Sequence, residues 1–434
     1  MTIKKNSSRS PITWVSTLYI AEGLPLFAIT LLAGLMYKSL GVNNDDIAYW
    51  TGLIGFAWVF KPLWSPFLEV IQNKKMLVIL FQLIGGLSLG LVALSMQLPN
   101  YFAISIGLLA MVAIASATHD IVADGLYIAS LNHQQQAQYA GWQGAFYNVA
   151  RFLSLGVLIA YAGELQKTMP PAQAWAIIFA LLGLGLVALA LYHTWSLPKE
   201  KPQETRPSMR DVYDTSVLVI IDFFKKPGIW MMILFIILFR TGEGQVQTIG
   251  PLFLKEIKAN GGLGLTDAQF SLVYGLSGTI AFIAGSIFGG YFAAWLGLRR
   301  ALLWLILMMN VPNLVFFFLS TTMPDNLGII SVALSFEMFG YGFGFVGLIL
   351  FMMQVVAPGK YQTAHYALST GVMYLGFNIA KMMSGKIQMA LGYKNFFIWV
   401  LISAIPALIL SRFLNIKDKE KTNEAAIEGA TVDL

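Results

Sequence analysis

Residues 76–97, "MLVILFQLIGGLSLGLVALSMQ", run for 22 positions without a charged side chain. At about 1.5 Å per residue, a helix of that length crosses the ~30 Å hydrocarbon core of a bilayer. Hydrocarbon offers no partner to a backbone N–H or C=O, so such a run must close its hydrogen bonds internally, as a helix. Residues 174–191 and 396–411 are similar. The whole 434-residue chain follows suit: 57% of it is hydrophobic and 12% charged, where a soluble protein averages about 25% charged. The fold class read from this is an all-α membrane protein.

Hydropathy places twelve spans, at 12–37, 47–70, 76–97, 101–131, 139–163, 173–196, 228–254, 267–294, 301–321, 326–356, 361–388 and 394–414. The first is too long for a cleaved signal peptide, so "MTIKKNSSRSP" reads as a tail before a spanning helix. The long polar stretch "SLPKEKPQETRPSMRDVYDT" (196–215) separates six spans from six, and "VYDTSVLVIIDFFKKP" (212–227) suits an amphipathic surface helix. The expected organisation is a six-helix bundle at 1–196, a linker at 197–227, a second bundle at 228–414 and a tail at 415–434. Loops on one side collect eighteen Lys and Arg, among them Lys4, Lys5, Lys74, Lys75, Lys225, Arg299, Arg300 and Lys417. The other side holds five: Lys38, Lys167, Lys255, Lys258 and Lys394. That bias puts both termini and the linker in the cytoplasm. It also accounts for the formal charge of +6; basic residues scattered over separate short loops argue against a nucleic-acid partner. With no cysteine, disulfides, thiolate metal sites and cysteine nucleophiles are excluded.

The two halves carry a faint repeat. "SPFLEVIQNKK" (65–75) and "GYFAAWLGLRR" (290–300) both set a small residue ten positions before a basic pair. "GLPLF" (23–27) and "IGPLF" (249–253) put Pro25 and Pro251 at nearly the same offset. Internal symmetry with Gly/Pro-interrupted helices in matching places points to an alternating-access transporter.

Ionisable residues inside the spans are the candidate site, since each costs at least about 2.5–3.5 kcal/mol at mid-bilayer unless paired, hydrated or neutral. Glu22, Arg151, Arg240 and Glu337 lie ten to twelve residues into their spans, roughly 15–18 Å deep. Arg151 and Arg240 read as holding an anionic substrate, with Glu22 or Glu337 carrying a coupling proton; the alternative is fixed ion pairs that orient helices. Glu22 is expected to pair with Arg151, and Arg240 with Glu243 three residues on. In "ATHDIVADG" (117–125), Asp120 and Asp124 share a helix face. Asp124 is placed to meet Glu69, Lys74 or Lys75 at an inner gate. His119 suits either a titrating role or a structural hydrogen bond. Lys61 lines the cavity or pairs with an acid, and Lys386 snorkels to the interface. Gln143, Asn148, Gln245, Gln247 and Asn378 suit a polar, sugar-like ligand, or equally bonds between helices.

Two catalytic-looking motifs are refused. "GLSLG" (86–90) lies mid-span without the strand–turn–helix a nucleophilic serine requires, and reads as helix packing. "GFGFVG" (342–347) follows no strand, so its glycines are expected to permit close helix contact. No catalytic residue, metal site or cofactor is expected, and the chain is not read as an enzyme.

The segments 65–75 and 290–300 resemble the paired loop motif of the major facilitator superfamily, with Ser65 in place of its first Gly, Glu69 at its acid position, and Ala294 at that position in the second copy. "EGLPLF" (22–27), "AWVFKPLWSPFLE" (57–69) and "ATHDIVADG" resemble the AmpG-like muropeptide permeases and the related acetyl-coenzyme A transporters. The resemblance places Lys61, Trp64, Pro66, Asp120 and Asp124 at matching positions; His119 stands where many relatives have Gln. It implies two six-helix bundles and a proton-driven importer of anhydro-muropeptides in the bacterial inner membrane. On this reading the partners are a small anionic substrate, protons and lipid, and the chain is monomeric. The alternatives are import of a siderophore or an acetyl-coenzyme A-like anion, a channel, or a transport-dead receptor.

Overall fold

The computed structural model describes residues 10–69, 73–131, 133–198 and 209–414, and every regular element among them is a helix. Ten helical stretches are long and apolar enough to cross a membrane. The long helices are α1 (Ile12–Ser39), α2 (44–69), α3 (Lys74–Ser95), α4 (Tyr101–Ser130), α5 (133–165), α6 (Pro171–Ser196), α7 (Ile229–Lys255), α8 (267–296), α9 (Leu298–Thr322) and α10 (Leu327–Val356). The last stretch, Ala364–Ser411, has 48 residues, about 72 Å of helix and more than twice the hydrocarbon thickness. Gly392 breaks it at φ 71°, ψ 165°, a conformation that glycine adopts without a Cβ clash. The break leaves α11 (362–391) and α12 (393–411). A further helix, Met209–Lys225, follows the central polar stretch and packs on α2, α7 and α11. It exposes Leu218, Ile221 and Phe224. Of the linker, residues 199–208 lie outside the described residues.

Small residues set the helix crossings. α3 meets α6 where a Cβ on Gly183 would stand 2.6 Å from the Gly86 carbonyl oxygen, so the "GLSLG" motif is indeed a packing face. The "GFGFVG" glycines lay α10 against α8 and α9: a Cβ on Gly342 would come within 2.2 Å of Phe282 O, and one on Gly344 within 2.4 Å of Leu305 O. The first six helices meet the last six mainly along α2–α11 and α5–α8. In the second contact two π-helical turns, Leu153–Leu158 and Ser271–Ser277, face each other.

The two ends of the molecule are tied differently. At the end away from the linker, polar bonds cross between the first and last six helices. Lys38 pairs with Glu256. Asn44 Nδ2 donates to Gln388 Oε1 at 2.8 Å and to Tyr393 Oη at 3.0 Å. Asp267, paired with Lys255, accepts from Gln166 Nε2 at 3.0 Å. At the linker end, Lys75 Nζ donates to Leu197 O at 2.9 Å, and Lys226 Nζ to Val356 O at 2.6 Å; each joins helices of one group.

Inside the first six helices a buried polar chain binds four of them. Thr17 Oγ1 lies 3.0 Å from His193 Nε2, His193 Nδ1 lies 2.8 Å from Gln82 Oε1, and Gln82 Nε2 lies 2.9 Å from His119 Nε2. Gln82, His119 and His193 are each at most 3% exposed. Replacing Gln82 by Leu keeps the volume but removes the partner of two buried imidazoles, a loss of about 1–3 kcal/mol. The expected readout is a lower melting temperature of the detergent-purified protein; an unchanged one would show that the chain contributes nothing to stability.

Candidate functional site

Two groups of intramembrane charges gather at the middle of the molecule. The first draws on α1, α2, α4 and α5. Asp120 and Asp124, one helical turn apart on α4, face Glu22 of α1, and the three carboxylates lie within 4.8 Å of one another. Lys61 of α2 pairs with Asp120. Tyr19, one turn before Glu22, donates to Asp124 Oδ1 at 2.8 Å and accepts from Gln143 Nε2 at 2.7 Å. Asp124 is exposed while Glu22 and Asp120 are half-buried, so the group is reached from solvent through Asp124. Three carboxylates facing one ammonium leave an excess of negative charge that a proton or a cation can balance.

The second group draws on α5, α7, α8 and α10. Arg240 Nε stands 2.6 Å from Glu243 Oε2, the two side chains 7% and 3% exposed, as their spacing on α7 leads one to expect. The Arg240 guanidinium is held between the rings of Phe345 and Phe377, at 4.9 and 4.6 Å. Arg151 does not meet Glu22. It reaches from α5 across to the other six helices, where its guanidinium lies 4.9 Å over Phe282 and 3.5 Å from Met338 Sδ. The reason is rotational: Glu22 faces α2 and α4, whereas Arg151 faces α8 and α10. Glu337 is 2% exposed, and the charges acting on it are those of Glu243 and Arg151. Tyr374 stands between the groups, within electrostatic reach of Lys61, Asp120 and Glu22 on one side and Arg240 on the other.

The remaining candidates scatter. His119 points away from the aspartates into the polar chain through Gln82. Gln245 faces α12, accepting from Trp399 Nε1 at 2.9 Å and donating to Ser403 Oγ at 3.2 Å. Asn148 donates to Gly144 O on its own helix. Asn378 is buried where α11 crosses Gly55 of α2, and Gln247 lines a separate small cavity. Lys74 lies against Gly125, next to Asp124, whereas Lys75 caps the Leu197 carbonyl. The side chain of Glu69 lies outside the described residues. Arg299 and Arg300 are exposed at the start of α9. Sequence reasoning missed Tyr19, Tyr341, which lies beside Glu243, and Tyr374. For the first two a signal existed: Tyr19 is three residues before Glu22 and Tyr341 four after Glu337, both on the same helix face as the acid.

Outside the spans, Glu256 shows how the end away from the linker is tied. Burial would push its carboxyl up, but the hydrogen bonds from Lys38 and Asn260 outweigh that and hold it below the ordinary value of 4.5.

Known proteins agree with this architecture. Over 405 residues the chain is 24% identical to the anhydromuropeptide permease of Escherichia coli K12, covering 90% of this chain and 77% of that one. It is 24% identical over 411 residues to the AmpG 4 protein of Rickettsia conorii, covering 92% and 95%. Among solved structures, a bacterial homologue of the human lysosomal transporter Spinster, inward-facing and unoccupied, superposes with a TM-score of 0.73 at 13% identity, over 94% of this chain and 98% of that one. A D-xylose–proton symporter superposes with 0.70 at 9% identity, over 93% and 97%. The Major Facilitator Superfamily profile matches residues 15–385; the chain therefore belongs to that superfamily and is a multi-pass membrane transporter, not an enzyme.

Proposed function

We propose that the protein is a proton-coupled importer of an anionic amino-sugar–peptide conjugate, with anhydro-muropeptides as the cargo, in the bacterial cytoplasmic membrane. The observation that carries the coupling is the carboxylate trio Glu22, Asp120 and Asp124, which among the described residues is paired with one ammonium, Lys61. A site short of positive charge and open to water takes up a proton and gives it back. Arg240 and Arg151, on facing helix groups, supply the cationic wall for the cargo. The kinship to the anhydromuropeptide permease along 90% of the chain supports the cargo.

The reading takes α1–α12 as twelve crossings in two six-helix bundles, 1–196 and 228–414. The linker 197–227 and the tail 415–434 are cytoplasmic, by the excess of Lys and Arg on that side. α2 counts as a crossing because it packs along α11 and α4. Its polar first turn, with Asp45 and Asp46, belongs at the outer face. The end tied by Lys38–Glu256 and Asp267 is then the closed outer gate, and the carboxylate trio is reached from the cytoplasmic side.

Proteoliposomes should accumulate labelled anhydro-muropeptide under an inward proton gradient and stop when a protonophore is added. Flux indifferent to the gradient would remove the coupling claim. A sodium requirement would assign the trio to a metal cation. Uptake of a ferric siderophore or a coenzyme A ester, but not the muropeptide, would replace the cargo. Asp124→Asn should cut gradient-driven accumulation at least tenfold yet keep exchange of labelled for unlabelled cargo, which needs no net proton movement; loss of both would mark Asp124 as structural.

Glu256→Gln should weaken the outer gate, raising the labelling of a cysteine placed at Thr51 by an impermeant thiol reagent several-fold. Acid should do the same to the unsubstituted gate. The depressed Glu256 carboxyl keeps its charge at pH 4.5, so the pair is intact above that pH and is lost only as the pH falls further. Unchanged labelling in both conditions would show that this pair does not hold the gate.

A further inference from the structure

Lys381 has no part in either charge group. It sits on α11, 3% exposed, and its polar contact is the Thr30 carbonyl at 3.4 Å, in the π-helical turn Ala28–Leu32 of α1. No carboxylate among the described residues pairs with it. Beside it lies a cavity of about 20 Å³ between α1, α2, α7 and α11, whose polar lining is Lys381, Gln247, Thr30, Thr51 and Thr248. The three threonine hydroxyls already donate to their own helices, at Leu26, Ile47 and Gly244. Gln247 Nε2 is buried and, among the described residues, donates to nothing. The hydrogen-bond donors left for the cavity are therefore an ammonium and an amide N–H.

A buried ammonium without a counter-charge costs several kcal/mol at membrane depth. Lipid-exposed lysines escape by snorkelling; Lys381 is enclosed and cannot. At about 20 Å³ the cavity holds one group the size of a water or a halide ion, and a carboxylate enters as the helices part. Its place is also telling. Thr30 is eight residues from Glu22 and eight from Lys38, so the cavity lies about 12 Å from both the carboxylate trio and the closed gate. It is built from helices of both groups, so it opens when they part.

We propose that Lys381 and Gln247 form an anion subsite on the path between the gate and the central charges, taking a single carboxylate of the cargo or a halide ion. The cargo arm rests on the function proposed above; the binding arm does not. The purified full-length protein is titrated with chloride, and separately with acetate, against a bulky sulfonate at constant ionic strength. Either anion should raise the melting temperature of the wild type by a few degrees, and neither should do so in Lys381→Gln. Lys381→Arg, which keeps the charge, should retain the response.

In proteoliposomes, Lys381→Gln should raise KM for the carboxylate-bearing muropeptide about tenfold, leave KM for its amidated form unchanged, and be rescued by Arg. A KM effect with acetate stabilisation assigns the site to the cargo carboxylate; a chloride response with unchanged KM assigns it to the halide. If neither anion distinguishes wild type from Lys381→Gln and KM is also equal, the subsite does not exist. If wild type carries no muropeptide at all, the cargo reading fails and the anion titrations alone decide the subsite. Lys381→Met guards against misfolding: a stable, monodisperse Met variant showing the anion response of the wild type would overturn the proposal.

Discussion

Hydrocarbon can solvate neither a peptide group nor an ion. The first half of that constraint makes every spanning segment of this protein a helix. The second half decides where the helices sit. Each intramembrane charge must find a partner or water inside the protein, so charged faces turn inward and toward one another. The polar interior follows: carboxylates on α1 and α4 meet an ammonium on α2, and guanidiniums on α5 and α7 lie against aromatic rings from α8, α10 and α11.

The two charge groups have opposite characters. The first is acidic, half-open and short of one or more positive charges; the second is buried and holds two guanidiniums. An anionic cargo and a cation that moves with it would be served by different walls of one chamber, with Tyr374 between them. One end is tied by polar bonds between the two sets of helices, and under the proposed alternating access these bonds break when that end opens. Lys381 lies on that route, enclosed with its charge unmatched, whereas Lys61 has its acid.

Much of the helix plan was legible because apolar runs of about 20 residues have few other uses. The run read as 76–97 is the helix Lys74–Ser95, and the one read as 12–37 is Ile12–Ser39. Hydropathy misplaces a helix end wherever the helix continues beyond its apolar stretch. α2 starts at Asn44, not 47, because Asn43 caps it through the Asp46 N–H and two acids favour its N-terminal dipole. α5 starts at His133, not 139: its first turns, "HQQQAQ", are polar yet helical, and hydropathy sees only the part that needs lipid. α6 starts at Pro171, whose missing N–H costs nothing in a first turn.

By itself the sequence determined the class of fold, most of the helical segments and which charges lie within them, because these follow from how each residue partitions between water and lipid. It also determined local pairs such as Arg240–Glu243, set by a spacing of three on one helix. Only the tertiary structure decided the partners across helices. A side chain's neighbour depends on how each helix is rotated about its axis and which helix packs beside it, and neither is written in one segment. So Arg151 leaves Glu22 for Met338 and Phe282, His119 turns to Gln82, and Gln245 turns to Trp399. Asp120 and Asp124, adjacent in the sequence pattern, become a site only because Glu22, Lys61 and Tyr19 arrive from two other helices.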